Sequence, residues 1–164
     1  MASSKLTNDN THVKTTNIKR LQKFIKDLET DNSDYFDAKP SEEDITIWYI
    51  RIHNLGDEYT DGEYYMKIIF TNEYPFKPPS YMMLTPTGRF EINKYICMSN
   101  TGFHADQWSP LWSLSAIINA MISFFYERQS VGIAHINTST IEDRKKFAQE
   151  SKDYNQKNLK KITF

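Results

Sequence analysis

The chain has 164 residues, 39% hydrophobic and 14% aromatic, enough to fill one core and too few for two. Its 20 basic and 21 acidic side chains nearly cancel, which excludes a general attraction to nucleic acid and makes any electrostatic recognition local. A single cysteine forms no internal disulfide and no basic, apolar leader opens the sequence, so the expected setting is cytoplasmic and reducing. The most apolar stretch, 116–126, is interrupted by Asn119 and Ser123 and is far shorter than the ~20 residues that cross a bilayer, so no membrane insertion is expected of these residues.

Residues 1–14 are polar and are read as a flexible arm. From Thr16, the residues Ile18, Leu21, Ile25 and Leu28 recur at steps of three and four with Phe24 beside them, which predicts a helix with one apolar face. Lys19, Arg20, Lys23 and Lys26 fall mainly outside that stripe, as on any solvated basic face. After the turn-prone run 30–34, segments 45–53 and 64–71 are rich in β-branched and aromatic residues and read as strands joined by the polar connection 56–62. Residues 81–84 give a further short strand, and strands in sequence imply an antiparallel meander. Pro75, Pro78 and Pro79 lack amide hydrogens, which favours a rigid external loop over a central ladder position.

Residues 85–102 show no sustained period, so Cys97 is placed on a long irregular connection kept ordered by its apolar residues. Ser113 is a candidate N-cap for a helix whose Leu114, Ile117, Ile118, Met121, Phe124 and Phe125 are apolar over most of the circumference, as expected against a sheet. Residues 128–137 connect to a last helix, where Ser139 and Glu142 have capping-box spacing and Ile141, Phe147 and Tyr154 offer a sparse apolar face. The basic end, 157–164, is expected to fray. The expected fold is α+β: an N-terminal helix, a four-stranded antiparallel meander, a cysteine-bearing loop, a buried central helix and a C-terminal helix, with the domain proper over 15–156.

A lone cysteine is most often a small buried hydrophobe. Cys97, however, lies between the proline-dense Tyr74-Pro75-Phe76-Lys77-Pro78-Pro79 and the tryptophan-rich Trp108-Ser109-Pro110-Leu111-Trp112. A thiol near its ordinary pKa of ~8.5 is a few per cent thiolate at neutral pH yet strongly nucleophilic, so only modest activation is needed. No Ser-His-Asp or Cys-His pair stands out by local spacing. Of the histidines, His12 falls in the arm and His53 ends a strand, whereas His104 shares the stretch between the cysteine and the tryptophans. No metal site and no cofactor are assigned.

The order of basic helix, meander, six-residue proline motif, Ile96-Cys97 and Trp108-Ser109-Pro110 resembles the catalytic domain of ubiquitin-conjugating enzymes over about residues 16–155. Within that family the chain is most similar to the divergent, tail-anchored branch acting at the endoplasmic reticulum. Thr85-Pro86-Thr87-Gly88-Arg89-Phe90 and Phe103-His104-Ala105-Asp106-Gln107-Trp108 carry this narrower likeness, with longer spacings on both sides of the cysteine. It departs from the branch at Thr87, where an Asn usually stands; most of the family reads His-Pro-Asn there.

The resemblance implies that Cys97 takes ubiquitin from the activating enzyme as a thioester, which an acceptor nucleophile then displaces. The family Asn either stabilises the oxyanion or braces the active-site loop. Thr87 offers one donor where an amide offers two donors and an acceptor, so backbone amides near Cys97, or His104, are the expected substitutes. His104 either polarises an acceptor and orders its approach or makes a structural hydrogen bond, while Ser130 and His135 compete for the gate position. Lys19, Arg20 and Lys23 match the helix that meets the activating enzyme. Arg20, Phe76, Ser109, Pro110 and Leu111 match the ligase surface, the alternative for Phe76 being packing beneath its own prolines. Trp108 and Trp112 are expected to fill the core under the cysteine loop.

Expected partners are ubiquitin, the activating enzyme, a ubiquitin ligase and a protein substrate. The expected location is the cytoplasm, or the cytosolic face of the endoplasmic reticulum if the natural chain continues beyond Phe164 into an anchor. Two alternatives stand beside this reading: a noncatalytic family variant that binds ubiquitin or a ligase, and a conjugating enzyme for another ubiquitin-like modifier.

Overall fold

The structure, a computed structural model, describes residues 9–97, 107–127, 134, 136 and 138–164, with side chains from residue 17 onward and without that of Cys97. Helix α1 spans Asp9–Leu28 and therefore begins within the stretch expected to be an arm. Its buried centre is Leu21 and Phe24, with Ile18 and Ile25 at the exposed rim. The face is turned toward Phe24 because that ring meets Trp48 edge-on at 6.3 Å and Phe70 at 6.0 Å, contacts that an isoleucine cannot supply.

The sheet has five strands in sequence order, each antiparallel to its neighbour: β1 (Phe36–Pro40), β2 (Ile47–Ile52), β3 (Tyr64–Ile69), β4 (Ser80–Met83) and β5 (Tyr95–Cys97). The meander is as expected, but the count of four is corrected to five. Strand β1 has a weak β-forming sequence, and its conformation comes from pairing along its whole length with β2, from Phe36 opposite Ile52 to Pro40 opposite Trp48. As an edge strand it accommodates Pro40. Alternation sends Trp48, Ile50, Ile52, Tyr64, Met66 and Ile68 inward and leaves Tyr49, Arg51, Tyr65 and Lys67 on the outer face.

Helix α2 (Leu114–Phe125) lies across the inner face. Ser113 caps it by accepting the amide of Ala116 at 3.1 Å, and the apolar residues read from the sequence are buried. Polar anchors fix its position: the hydroxyls of Tyr81 and Tyr59 donate to the carbonyls of Ile117 and Phe125, each at 2.9 Å. Burial pushes both phenols up, Tyr59 to about 12, so both stay neutral donors.

Helix α3 (Ile141–Asn158) corrects two expectations. Its capping box is Thr140 with Asp143, one residue later than the spacing of Ser139 and Glu142 indicated, because Ser139 donates instead to the carbonyl of Gly88. Its buried side is Ala148, Ser151 and Asn155, while Ile141 is exposed. Ser151 accepts the amide of Glu63 at 2.9 Å and Asn155 donates to the Glu63 carbonyl at 2.9 Å, so hydrogen bonds join the half-buried Phe147 and Tyr154 in holding the helix. At the C-terminal end, expected to fray, the ring of Phe164 lies 5.3 Å from that of Tyr65, under Arg51 and Lys39, on the outer face of the sheet.

Candidate active site and docking surface

Cys97 is the last residue of β5, opposite Ser80 of β4, rather than part of an irregular connection. Three residues are too few to show a period, and only the pairing with β4 makes them a strand. Ile96 is fully buried and Tyr95 exposed, so the backbone at Cys97 is fixed by the core on one side of the strand. His104, Ser130 and His135 lie outside the described residues.

Upstream of the cysteine, Thr85, Thr87 and Arg89 are all buried. The Thr85 hydroxyl accepts the amide of Tyr65 at 2.9 Å and donates to Oδ1 of Asn155 at 2.5 Å, joining this loop to β3 and α3. The Thr87 hydroxyl accepts two amides, Arg89 at 2.9 Å and Phe90 at 3.1 Å, closing a tight turn. At its centre Gly88 has φ of 75°, and a Cβ there would stand 3.0 Å from the ring of Phe147 and 3.1 Å from Arg144. Beyond the turn, the Arg89 guanidinium crosses to α2, with Nε 3.2 Å from the Phe124 carbonyl and Nη2 2.9 Å from that of Glu127. Its backbone carbonyl accepts the amide of Ile136 at 2.9 Å, and the Glu91 amide donates to Ala134 at 2.8 Å. Sequence reading missed Arg89; the signal was a charged residue amid the apolar and turn residues Pro86-Thr87-Gly88 and Phe90.

The proline motif forms an external loop. Tyr74 is its buried foot, its ring 4.7 Å from Phe70, while Phe76 is 78% exposed and does not pack beneath the prolines. On the second loop Leu111 is 86% exposed, and Ser109 shapes the turn by accepting the Leu111 amide at 3.2 Å. The two loops are cross-braced: the indole nitrogen of Trp108 donates to the Pro75 carbonyl at 3.0 Å, and Trp108 stacks edgewise on Trp112 at 5.3 Å. Both tryptophans pack partly buried against the core.

Of the basic residues expected on α1, Lys19 and Lys23 point to solvent, Lys23 in an ion pair with Asp27 at 2.8 Å. Arg20 does not. It is half-buried, its guanidinium lies 5.6 Å from the Tyr74 ring centroid, and Nη2 donates to the Pro110 carbonyl. Arg20 thus bridges the helix and the loops from within the basic face of α1.

Among the described residues no helix is long and apolar enough to cross a membrane, and no cluster of three or more His, Cys, Asp or Glu is placed to hold a metal.

The family model described as ubiquitin-conjugating enzyme matches residues 20–157. Similar proteins include ubiquitin-conjugating enzyme E2 6 of Eremothecium gossypii, 37% identical over 84% of this chain and 56% of its own. Ubiquitin-conjugating enzyme E2 34 of Arabidopsis thaliana is 40% identical over 84% of this chain and 58% of its own. Ubiquitin-conjugating enzyme E2 J2 of Mus musculus is 37% identical over 92% and 58%. The chain thus spans little more than half the length of these relatives. Among solved structures, human ubiquitin-conjugating enzyme E2 G1 shares the fold, with a TM-score of 0.55 at 21% identity over 65% of this chain and 92% of that one. The fold, the family match and the relatives agree: the chain belongs to the ubiquitin-conjugating enzyme family.

Proposed function

We propose that the chain accepts ubiquitin as a thioester on Cys97 and passes it to a protein substrate presented by a ubiquitin ligase. The Cys97 thiolate attacks the carbonyl of the thioester joining ubiquitin to the activating enzyme, and that enzyme's cysteine leaves as thiolate. Exchange of one thioester for another is nearly balanced, so the acyl group stays reactive. In the second step the acceptor's lone pair attacks the same carbonyl, Cys97 leaves as thiolate, and the acceptor loses a proton. With a lysine amine the product is an amide; with a hydroxyl it is an ester.

Thr87 serves as a brace of the approach to Cys97 rather than as the oxyanion donor, and His104 and backbone amides near the cysteine are the candidates for that donor. Ser130 and His135 remain the gate candidates. Lys19 and Lys23 face the activating enzyme. Phe76, Ser109, Pro110 and Leu111 form the ligase surface, with Arg20 supporting it from below. The observation that carries the reading is the pair of apolar anchors, 78% and 86% exposed, on two loops that the half-buried bond from Trp108 to Pro75 ties together. A preorganised apolar side chain loses little entropy on binding and makes an efficient anchor.

The likeness to the tail-anchored branch supports work at the cytosolic face of the endoplasmic reticulum, in the degradation route associated with that organelle. Incubating the chain with activating enzyme, ATP and ubiquitin should produce an adduct that a reducing agent cleaves and that Cys97→Ala abolishes. No adduct with ubiquitin, alongside one with another modifier, would reassign the cargo; no adduct with any modifier would leave a noncatalytic binding variant. Parallel discharge onto free lysine, serine and threonine distinguishes amine from hydroxyl acceptors.

A further inference from the structure

We propose that Arg89 is a positioning residue of the transfer step: its side chain clamps the end of α2 onto the backbone that leads to Cys97, and so holds the cysteine-bearing strand where an acceptor's attack on the thioester needs it. The inference rests on the proposed function and adds to it a residue outside the docking surfaces.

The end of α2 carries no cation of its own. The last carbonyls of a helix have no partners of their own and carry partial negative charge. The last turn of α2 contains no basic residue. Arg89, brought in from the connection between β4 and β5, supplies one, donating to the Phe124 carbonyl in the last turn and to the Glu127 carbonyl just beyond the helix. The planar fork of a guanidinium suits this; a lysine presents a single point of charge.

Stability alone does not account for an arginine here. Its residue is 2% exposed, and removing a guanidinium from water is unfavourable, whereas an apolar side chain of similar length fills such a space without that desolvation. What the arginine adds is direction. Its backbone is held three ways: its amide by the Thr87 hydroxyl, its carbonyl by the Ile136 amide, and the next turn of chain by the bond from Glu91 to Ala134. Continuing toward the cysteine, Ile92 bridges Met83 and the Asn93 amide donates to the Met83 carbonyl at 2.9 Å, immediately before β5. The clamp therefore connects the rigid helix on the inner face of the sheet to the stretch ending at Cys97. Phe76, Leu111, Lys19 and Lys23 stand on other elements, so partner docking is separable from it.

The test compares Arg89→Met, which keeps length and loses both donors, with Arg89→Lys, which keeps charge and loses the fork. The chain is loaded with ubiquitin, the activating enzyme is stopped, and decay of the thioester onto free lysine is followed. This decay is first-order per thioester, so it does not depend on how much protein is folded. Arg89→Met should lower the decay rate about tenfold, as expected for a displaced reacting group. The KM for the activating enzyme should be unchanged, and lysine should restore part of the rate. Wild-type decay in Arg89→Met overturns the inference. Should Arg89→Met fail to fold, Arg89→Lys decides alone: a lowered rate supports the clamp, and a wild-type rate assigns Arg89 to folding only and overturns it. A wild-type chain that forms no thioester removes the proposed function itself, and this inference with it.

Discussion

A threonine hydroxyl has two lone pairs and one proton, and Thr87 already accepts two backbone amides. What it can still give is a single proton from a side chain with no exposed surface. Such a group suits holding a turn better than meeting a transient oxyanion. Two substitutions separate the roles. Thr87→Val keeps the shape and strands two buried amides, which should cost about 2 kcal/mol in chemical denaturation. Thr87→Asn should change discharge onto free lysine by less than tenfold; a rise of about a hundredfold would instead show that an oxyanion donor had been missing all along. The same attention to hydrogen-bond capacity explains Arg20. Charge and position on α1 mark it as a docking candidate, and nothing in the sequence could reveal that Pro110 and Tyr74, far along the chain, also stand within its reach.

At the scale of elements, α2 and strands β2 and β3 were legible because each buries a regular apolar pattern that the residues spell out. The two protruding loops were legible through their prolines and tryptophans. Strand β1 was not, since Asp37, Ala38 and Lys39 become a strand only by pairing with β2. Strand β5 was too short to announce itself, and α3 buries Ser151 and Asn155, which no hydrophobic period detects. The α3 cap gives a prediction with a definite sign. Hydrogen bonds from Thr140 hold the Asp143 carboxyl below its ordinary value of 3.8. The cap's contribution is therefore complete above that ordinary value and is lost as pH falls through the lower, folded-state value. An NMR titration of the Asp143 side chain should show a midpoint below 3.8, and Thr140→Ala should move it upward and speed amide exchange in the first turn.

Across the whole molecule, the proposed loading face on α1 and the proposed ligase face on the two loops can be told apart by mutation. Lys19 and Lys23 are the residues for charge reversal, because altering Arg20 would disturb both faces at once. The pair Lys19→Glu and Lys23→Glu should slow loading by the activating enzyme, and the effect should shrink as salt rises. Phe76→Ala should spare loading and depress ligase-stimulated discharge about tenfold or more. If each change left both steps intact, the assignment of faces would be wrong. The bond from Trp108 to Pro75 gives this division a geometric meaning. It sets the gap between the two protruding anchors before any ligase arrives, so the surface works as a caliper with locked jaws. A ligase docking as proposed would read a fixed separation as well as two side chains, and a relative with the same anchors on unbraced loops would present the same chemistry at an undefined span.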